Sequence, residues 1–221
     1  MRIEIWSDVV CPWCDIGKRR LEDALEELEH ADEVEVVFRS FELDPSAPMP
    51  AIEPVVEALA RKYGGGVDDA RRMQAQVTEV AAVVGLEYRL DETLHGSTVD
   101  AHRLLQLALH EGDARLQAAL NERLMAAYFT RAEDITDHDV LRKAAADAGL
   151  DPARVDAVLA SGEYADAVRA DVDQARAFGA SGVPFFVVDR KYAVSGAQPT
   201  EVFAQVLERA WTEARDGDVI G

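Results

Sequence analysis

The sequence predicts an α/β sheet domain that is interrupted by a large all-helical insertion. Short β-branched and aromatic runs lie only near the two ends of the 221-residue chain, at 2–6, 34–41 and 184–194. Between them, from about residue 50 to residue 178, almost every segment places apolar residues at helical spacing. Strands at both ends with helices between them are typical of one sheet built from both ends of a chain.

The N-terminal part is predicted to contain a strand, a helix and a second strand. Residues 2–6 alternate polar and apolar side chains, with Ile3 and Ile5 on one face, as in a half-buried strand. Apolar residues at helical spacing predict a helix over about 14–29, and the run VEVVFRSF at 34–41 predicts the second strand. This order is that of a βαβ-like unit.

The helical insertion begins where Pro45, Pro48 and Pro50 end this first unit. Glycines separate the helices that follow, and Ser97 to Asp100 fits a capping box at the start of one of them. The predicted helices cover 52–63, 67–84, 98–111, 114–131, 137–148, 152–160 and 164–178. The predicted parts of the chain are therefore the N-terminal sheet part (1–49), the insertion (50–164) and the C-terminal sheet part (165–221).

The C-terminal part is predicted to be a β-hairpin followed by a helix. A β-branched and aromatic run begins at Pro184, and a second one covers 191–194. Asp189 and Arg190 lie between the two runs and favour a tight turn. The last segment, 199–215, has the apolar spacing of an amphipathic helix.

The charge of the chain excludes two classes of partner. Its 23 Lys and Arg residues face 42 Asp and Glu residues, which gives a formal net charge of −19. Nucleic acids and anionic membranes are bound through clustered Lys and Arg, so neither is an expected partner. The chain also has no apolar run of about 18 residues that would predict a transmembrane helix. Because no basic and apolar leader precedes the first strand, we expect a cytoplasmic protein.

The two cysteines of the chain, Cys11 and Cys14, flank Pro12 and Trp13 at a strand-to-helix turn. The free amide groups and the dipole of a helix start favour a thiolate, and thiols in such motifs have pKa values lowered by about one to five units. Pro12 suits a first-turn position. Cys11, nearer the loop, is predicted to be the exposed nucleophile, and Cys14 is predicted to be the resolving thiol.

Three other interpretations of the cysteine pair were weighed. A structural disulfide is disfavoured in a reducing cytosol. A zinc site needs four ligands, and His95, His102 and His110 lack the paired spacing that completes such a site, so no metal is expected. Two buried, inert cysteines are disfavoured by Pro12 and Trp13 at the turn. A pair that follows a strand and opens a helix is a strong redox signal.

Several separated motifs together resemble a known family. The segment SDVVCPWC at 7–14, followed by Ile16-Gly17, and the segment SGVPFF at 181–186 look like the DsbA-like branch of the thioredoxin superfamily. The segments DAHRL at 100–104 and VSGAQ at 194–198 are similar to the FrnE-type cytoplasmic oxidoreductases. The resemblance covers essentially the whole chain and implies a thioredoxin-like fold with a large all-helical insertion.

The resemblance also implies residue roles. It implies a cis peptide bond between Val183 and Pro184, facing the cysteine pair, which leaves the Val183 backbone to pair with an extended peptide. The residues alone say only that Pro184 opens a strand. His102 either hydrogen-bonds near the active site or satisfies the core, and Asp8 either tunes Cys11 or forms a turn. The basic run Lys18-Arg19-Arg20 is predicted to be a solvated helix face.

Three functions follow from these features. The first is a dithiol–disulfide oxidoreductase that acts through Cys11 on disulfides or thiols of proteins or small molecules. It has no bound cofactor besides a redox-active Cys11–Cys14 disulfide, and glutathione is a candidate co-substrate. The second is a glutathione-dependent enzyme related to 2-hydroxychromene-2-carboxylate isomerase and kappa-class glutathione transferase, which the intact cysteine pair disfavours. The third is a chaperone or docking module that uses the helical insertion.

Overall fold

The computed structural model describes the backbone of residues 1–218 and the side chains of residues 1–215. The strands are β1 (Arg2–Ser7), β2 (Glu35–Ser40), β3 (Glu53–Pro54), β4 (Leu94–His95), β5 (Phe185–Val188) and β6 (Tyr192–Ser195). The helices are α1 (Pro12–Glu26), α2 (Val55–Tyr63), α3 (Gly66–Val83), α4 (Val99–Leu107), α5 (Ala114–Met125), α6 (His138–Ala148), α7 (Pro152–Leu159), α8 (Ala165–Ala177) and α9 (Thr200–Asp218). None of the helices described is long and apolar enough to cross a bilayer.

The main sheet takes two strands from each end of the chain, as predicted. Its strand order is β2-β1-β5-β6. β1 runs parallel to β2, with Ile3 opposite Val36, and antiparallel to β5, with Ile5 opposite Phe186. β5 and β6 form an antiparallel hairpin. The short strands β3 and β4 form a separate antiparallel pair inside the insertion.

Helices cover both faces of the main sheet, so the prediction of a half-buried first strand is wrong. α1 and α9 pack together on one face, while on the other face Trp6 contacts Ala175 of α8. Glu4 is also buried, and its carboxylate pairs with Arg39 at 2.5 Å. β1 is a central strand without a solvent face, which the alternation of its side chains does not reveal.

The core of the helical insertion continues beneath the cysteine motif. Cys11, Cys14 and Ile16 belong to the same buried apolar cluster as Leu104 of α4 and Phe129, which follows α5. The motif therefore lies at the contact between the sheet and the insertion. The exact borders of the insertion, placed at residues 50 and 164, stay a prediction.

Two helix predictions in the insertion need revision. The predicted helix over 98–111 is α4 followed by a π-helical turn at Ala108–Gly112, and the one over 114–131 is α5 followed by a π-helical turn at Ala126–Thr130. The pair β3–β4 is absent from the predicted elements because two-residue strands have no periodic pattern that could reveal them.

The predicted capping box at the start of α4 is wrong. The Asp100 carboxylate contacts Arg103 at 2.6 Å and His138 at 2.9 Å instead of the helix start. The Ser97 hydroxyl accepts a hydrogen bond from the Val99 N–H at 3.4 Å, so it satisfies a different amide from the one a capping box uses. A cation and an imidazole from the folded insertion are stronger partners for the carboxylate than a backbone amide.

The predicted hairpin turn is confirmed. Asp189 and Arg190 both have positive φ values, 48° and 56°. The Lys191 N–H donates to the Val188 carbonyl at 3.0 Å and closes the turn. Positive φ at both central residues matches the right-handed twist of the flanking strands.

The basic run after the motif is not a uniformly solvated face. Lys18 is buried, and its ammonium group contacts Glu122 of α5 at 2.5 Å. Arg19 contacts the same carboxylate at 3.0 Å, and Arg20 donates to the Ala197 carbonyl at 2.6 Å. These contacts hold α1 against α5 and against the loop after β6. The buried Lys18 needs the carboxylate of Glu122, because burial of a lysine without a paired charge is costly.

Candidate active site

The loop before α1 holds Cys11 at the cap position of that helix. Cys11 has extended backbone angles (φ −91°, ψ 110°), and Pro12 is the first helical residue, where no N–H is needed. The Cys11 carbonyl accepts from the Cys14 N–H at 3.0 Å, and the Cys11 N–H donates to the Asp8 carbonyl at 3.1 Å. Hydrogen bonds on both sides therefore fix the backbone of Cys11.

Both cysteines are free thiols in this structure, and both are buried. Cys14 is 1% exposed and Cys11 is 4% exposed, whereas Trp13 between them is 44% exposed. The prediction of an exposed Cys11 is therefore wrong, because the helical insertion covers both thiols and leaves Cys14 only slightly more buried than Cys11. Burial raises the pKa of Cys14 above its ordinary value, and the neighbouring Cys11 raises it further. Cys14 is therefore the thiol that holds its proton more firmly than an ordinary cysteine does.

The loop before β5 approaches Cys11 directly. The Cys11 sulfur lies 3.7 Å from the Val183 carbonyl oxygen, and the peptide bond between Val183 and Pro184 is cis. Gly17 of α1 makes this approach possible, since a Cβ atom there would lie 3.1 Å from Pro184 and 3.2 Å from Phe186. The two distant motifs, CPWC and VPFF, thus meet at one place.

Asp8 and His102 form a buried pair next to this loop. His102 Nε2 lies 3.3 Å from Asp8 Oδ1, and each side chain is 1% exposed. The other carboxylate oxygen of Asp8 accepts from the Leu43 N–H at 2.8 Å. Of the two interpretations left open by the sequence, the structure places His102 in a hydrogen bond beside the motif. Asp8 holds the loop through its carbonyl, which accepts from Cys11, and through these side-chain contacts.

Asp15 and Tyr88 were missed by the sequence analysis. The Tyr88 hydroxyl lies 3.1 Å from Asp15 Oδ2 and 3.2 Å from the Pro12 carbonyl oxygen. Burial raises the pKa of Asp15 from 3.8 to about 6. Asp15 has a signal in the sequence, because it directly follows Cys14 in the first turn of the predicted helix. Tyr88 has none, because only the packing of the insertion brings it here.

A cleft of about 660 Å³ opens beside the motif. It begins at Asp8 and Val10 and extends between the segment after β2, α2 and β4. Most of its lining is apolar, and its ionic groups are largely paired with each other, since Arg61 and His95 both contact Glu53. The cleft reaches Val10, the residue before Cys11, and Cys11 itself is not among the residues that line it.

Comparison with known families shows which family the chain belongs to. The profile of the DSBA-like thioredoxin domain matches residues 2–208. The chain belongs to this family. The DSBA-like match covers both sheet parts and the insertion, so the predicted thioredoxin-like fold with a large helical insertion is confirmed.

Three similar proteins place this DSBA-like chain among its relatives. It is 48% identical to a probable DsbA oxidoreductase, SCO1869, from Streptomyces coelicolor, with a TM-score of 0.89 over 96% of this chain and 91% of that chain. It is 28% identical to the uncharacterized protein YwbO of Bacillus subtilis, over 94% of this chain and 96% of that one. The cytosolic disulfide reductase DsbM from Pseudomonas aeruginosa, in a structure with GSH, shares the fold at 21% identity and a TM-score of 0.65, over 97% of this chain and 100% of that chain.

Membership of the DSBA-like family does not show which branch of the family the chain belongs to. The FrnE-type branch stays a prediction, because the family profile is broader than that branch. Among the side chains that the structure describes, no three His, Cys, Asp or Glu groups are arranged to hold a metal ion.

Proposed function

We propose that this DSBA-like protein is a dithiol–disulfide oxidoreductase in which Cys11 is the attacking thiol and Cys14 the resolving thiol. One observation carries the proposal: Cys11 caps α1 next to the Val183 carbonyl, while Cys14 lies deeper in the first turn. Burial raises the pKa of Cys14, so the deeper thiol is suited to keep its proton until it resolves the mixed disulfide. The likeness to the probable DsbA oxidoreductase supports the same chemistry.

The proposed exchange needs no cofactor beyond the two thiols. In the reducing direction the Cys11 thiolate attacks a substrate disulfide, forms a mixed disulfide and releases one substrate thiolate. Cys14 then loses its proton and attacks the Cys11 sulfur, which releases the second substrate thiolate and leaves a Cys11–Cys14 disulfide. The oxidising direction is the reverse, and a redox titration against glutathione buffers determines which direction is favoured.

We propose that the substrate chain pairs with the backbone of Val183. This residue precedes Pro184 and lies against Cys11, so an extended peptide added there would present its sulfur to the Cys11 thiolate. The cleft that begins at Val10 provides space for side chains next to the substrate cysteine. Pro12 and Trp13 lie between the thiols, and the exposed Trp13 ring offers an apolar contact to the same substrate. Asp8 and His102 act by holding the loop that carries Cys11.

The test compares the wild-type protein with Cys11→Ser and Cys14→Ser in insulin reduction. Cys11→Ser is expected to lose at least about 100-fold of the activity, because the attacking sulfur is gone. Cys14→Ser is expected to accumulate a mixed disulfide at Cys11, which mass spectrometry detects. Equal activity in wild type and Cys11→Ser contradicts the proposal. Holdase activity that persists after both cysteines are replaced would instead support the chaperone or docking module.

The glutathione-dependent isomerase or transferase remains the second hypothesis, and glutathione is also a proposed co-substrate of the oxidoreductase. The structure of DsbM with GSH motivates both, since that protein shares the fold. Isothermal titration of the reduced protein with glutathione tests them, and an absence of binding removes the isomerase or transferase. The cytoplasmic location stays a prediction, which fractionation of cells that express the full chain tests.

A further inference from the structure

The hydroxyl group of Ser7 has no partner in the reduced protein. Ser7 is the last residue of β1 and is 4% exposed. Its Oγ atom is buried and makes no hydrogen bond with any of the described residues. An unpaired hydroxyl inside a protein is unfavourable, so a buried group of this kind indicates a second state in which it is paired.

The direction of the Ser7 side chain follows from the alternation along β1. Ile3, Ile5 and Ser7 share one face of the strand. The two isoleucines form a buried cluster with Leu21 of α1. Cys14 precedes Leu21 by two helical turns and so shares its face of α1. Because α1 starts beside the end of β1 and turns back over the strand, the face that brings Leu21 to the isoleucines brings Cys14 to Ser7.

The titration of Cys14 agrees with this placement. Burial raises the pKa of Cys14 above its ordinary value, and Cys11 raises it further. Two groups lower the pKa of Cys14 instead, and they are the hydroxyl of Ser7 and the backbone N–H of Asp8. A donor lowers the pKa of a thiol by hydrogen bonding to the thiolate, which requires a position next to the sulfur. Both donors therefore lie next to Cys14.

We propose that the Ser7 hydroxyl and the Asp8 N–H stabilise the Cys14 thiolate when Cys14 resolves the mixed disulfide. The inference rests on the proposed exchange at Cys11. In that step the Cys14 thiol releases its proton to solvent, and the thiolate attacks the Cys11 sulfur. The bond between Cys11 and the substrate sulfur breaks as the Cys11–Cys14 bond forms, so the substrate leaves as a reduced thiolate and the cysteine pair is oxidised. The hydroxyl that has no partner beside the thiol gains one beside the thiolate.

The charged and titratable groups near Cys14 are separate from the Ser7 hydroxyl. They are Cys11, the adjacent Asp15, Tyr88 from the segment after α3, and Asp8, whose carboxylate is paired with His102 at 3.3 Å. Replacement of Ser7 by alanine changes none of these charges, because a serine hydroxyl is neutral. An effect of the substitution on Cys14 therefore reports the hydroxyl itself.

The test follows the reaction of the reduced full-length protein with dithiobis(nitrobenzoate), an aromatic disulfide whose thiolate product is yellow. Attack by Cys11 releases one coloured thiolate at a rate proportional to the reagent concentration. Resolution by Cys14 releases the second at a rate independent of that concentration, because both reacting sulfurs belong to one molecule. Stopped-flow absorbance between about pH 6 and pH 10, a range around ordinary thiol titration, separates the two releases.

Ser7→Ala is expected to raise the midpoint of the second release by about one pH unit and to leave the first release unchanged. Below the midpoint the thiolate fraction of Cys14 then falls about tenfold. A thiolate of higher pKa is a stronger nucleophile, so the second release slows by about threefold overall. The reduced variant is expected to be at least as stable as the wild type in urea, because the substitution removes a polar group without a partner.

Ser40→Ala is the matched control. Ser40 lies directly opposite Ser7 in the register of β1 and β2, and it is also buried. Its hydroxyl already accepts a hydrogen bond from the Gln106 amide at 3.0 Å. The control is therefore expected to lose stability in urea and to keep the wild-type profile of the second release.

A second measurement does not depend on the exchange. In Cys11→Ser, Cys14 is the only remaining cysteine of the chain, and the ultraviolet absorbance of its thiolate can be titrated. Addition of Ser7→Ala to this variant is expected to raise the midpoint by about one unit. This shift depends on the contact between Ser7 and Cys14 and on no substrate.

An unchanged profile of the second release in Ser7→Ala overturns the inference, and so does an equal shift in Ser40→Ala. A Cys14 titration that is the same with Ser7 and with alanine also overturns it. Failure of the proposed function has a different result, since insulin reduction would then be independent of Cys11 while the Cys14 titration still reports the effect of Ser7.

Discussion

Asp15 and Asp171 are both buried, and burial raises the pKa of each, yet their surroundings differ. Asp171 on α8 accepts from the Ser40 N–H at 2.9 Å and from the Gln106 amide at 2.6 Å, and it pairs with Arg39 at 3.4 Å. It thereby joins β2, α4 and α8.

Asp15 has a single hydrogen-bond donor to its side chain within the described residues, the Tyr88 hydroxyl, and it directly follows Cys14 in α1. Protonation of a carboxylate with three partners takes away one of its acceptor sites, which can leave a buried donor unsatisfied. A carboxylate with one adaptable partner can change its protonation. The comparison indicates that the number of donors, and not burial alone, determines how firmly a buried carboxylate ties together the elements around it.

The largest expected effect is that of Asp171→Ala. The substitution removes the acceptor of the Ser40 N–H and one of two acceptors of both the Gln106 amide and the Arg39 guanidinium, so the free energy of unfolding is expected to fall by about 3–5 kcal/mol. Urea denaturation at pH 7 measures it. Asp166→Ala is the control on the same helix: among the described side chains its exposed carboxylate pairs with the exposed Arg169 alone, so a change under about 0.5 kcal/mol is expected. Similar losses in both variants would remove the distinction.

Asp15→Asn is expected to stabilise the fold in a pH-dependent way. The pKa of Asp15 rises from 3.8 to about 6 on folding, so the folded chain binds more protons than the unfolded chain between these values. Wild-type stability attributable to Asp15 therefore falls as the pH rises from about 4 to about 6, and the deficit persists above that range. The variant should match the wild type near pH 4 and exceed it by up to about 3 kcal/mol at pH 7.5.

Chemical denaturation of the oxidised proteins at the two pH values measures this difference. A variant that is less stable than the wild type by the same amount at both values would show that Asp15 is a structural acid like Asp171.

The smallest expected effect is a difference in pH dependence between the stability losses of two Tyr→Phe variants. Tyr88→Phe removes a donor to Asp15 and should cost about 1–2 kcal/mol at pH 7.5 and less at pH 4, where the carboxyl group is neutral. Tyr128→Phe removes a hydrogen bond to the neutral Leu94 carbonyl, so it should cost about 1 kcal/mol at both pH values. Thermal unfolding of both variants at the two pH values checks this contrast, and a pH-independent loss in Tyr88→Phe would contradict it.

Local patterns predicted much of the fold and part of the site. Turn chemistry at Asp189-Arg190 and the proline after Cys11 act within a few residues, so the hairpin and the helix start could be predicted from the residues themselves. The predictions that were wrong concern contacts between residues that are far apart in the sequence. The alternation in β1 could not show that a second layer of helices covers its polar face, and nothing near Lys18 in sequence indicates the carboxylate of Glu122, which lies 104 residues away.

The candidate site likewise has features that could be predicted from nearby residues and features that could not. The position of Cys11 before α1 and of Cys14 in its first turn follows from the strand-to-helix pattern. The burial of both thiols does not, because the insertion that covers them is distant in sequence. The opposition of Val183 to Cys11 was implied only by resemblance to a family, since 172 residues separate the two. Tyr88 was not predicted at all, because a lone tyrosine after a helix is an ordinary core residue.

The sequence by itself determined the class of the fold and the position of the two cysteines at a strand-to-helix turn, because periodicity, turn chemistry and the helix start are short-range properties. Only the tertiary structure decided which charges are buried and what they face: His102 against Asp8, Glu122 against Lys18, and Tyr88 against Asp15. The protonation of a buried group depends on desolvation and on neighbours brought together by packing, and the linear chain contains neither quantity.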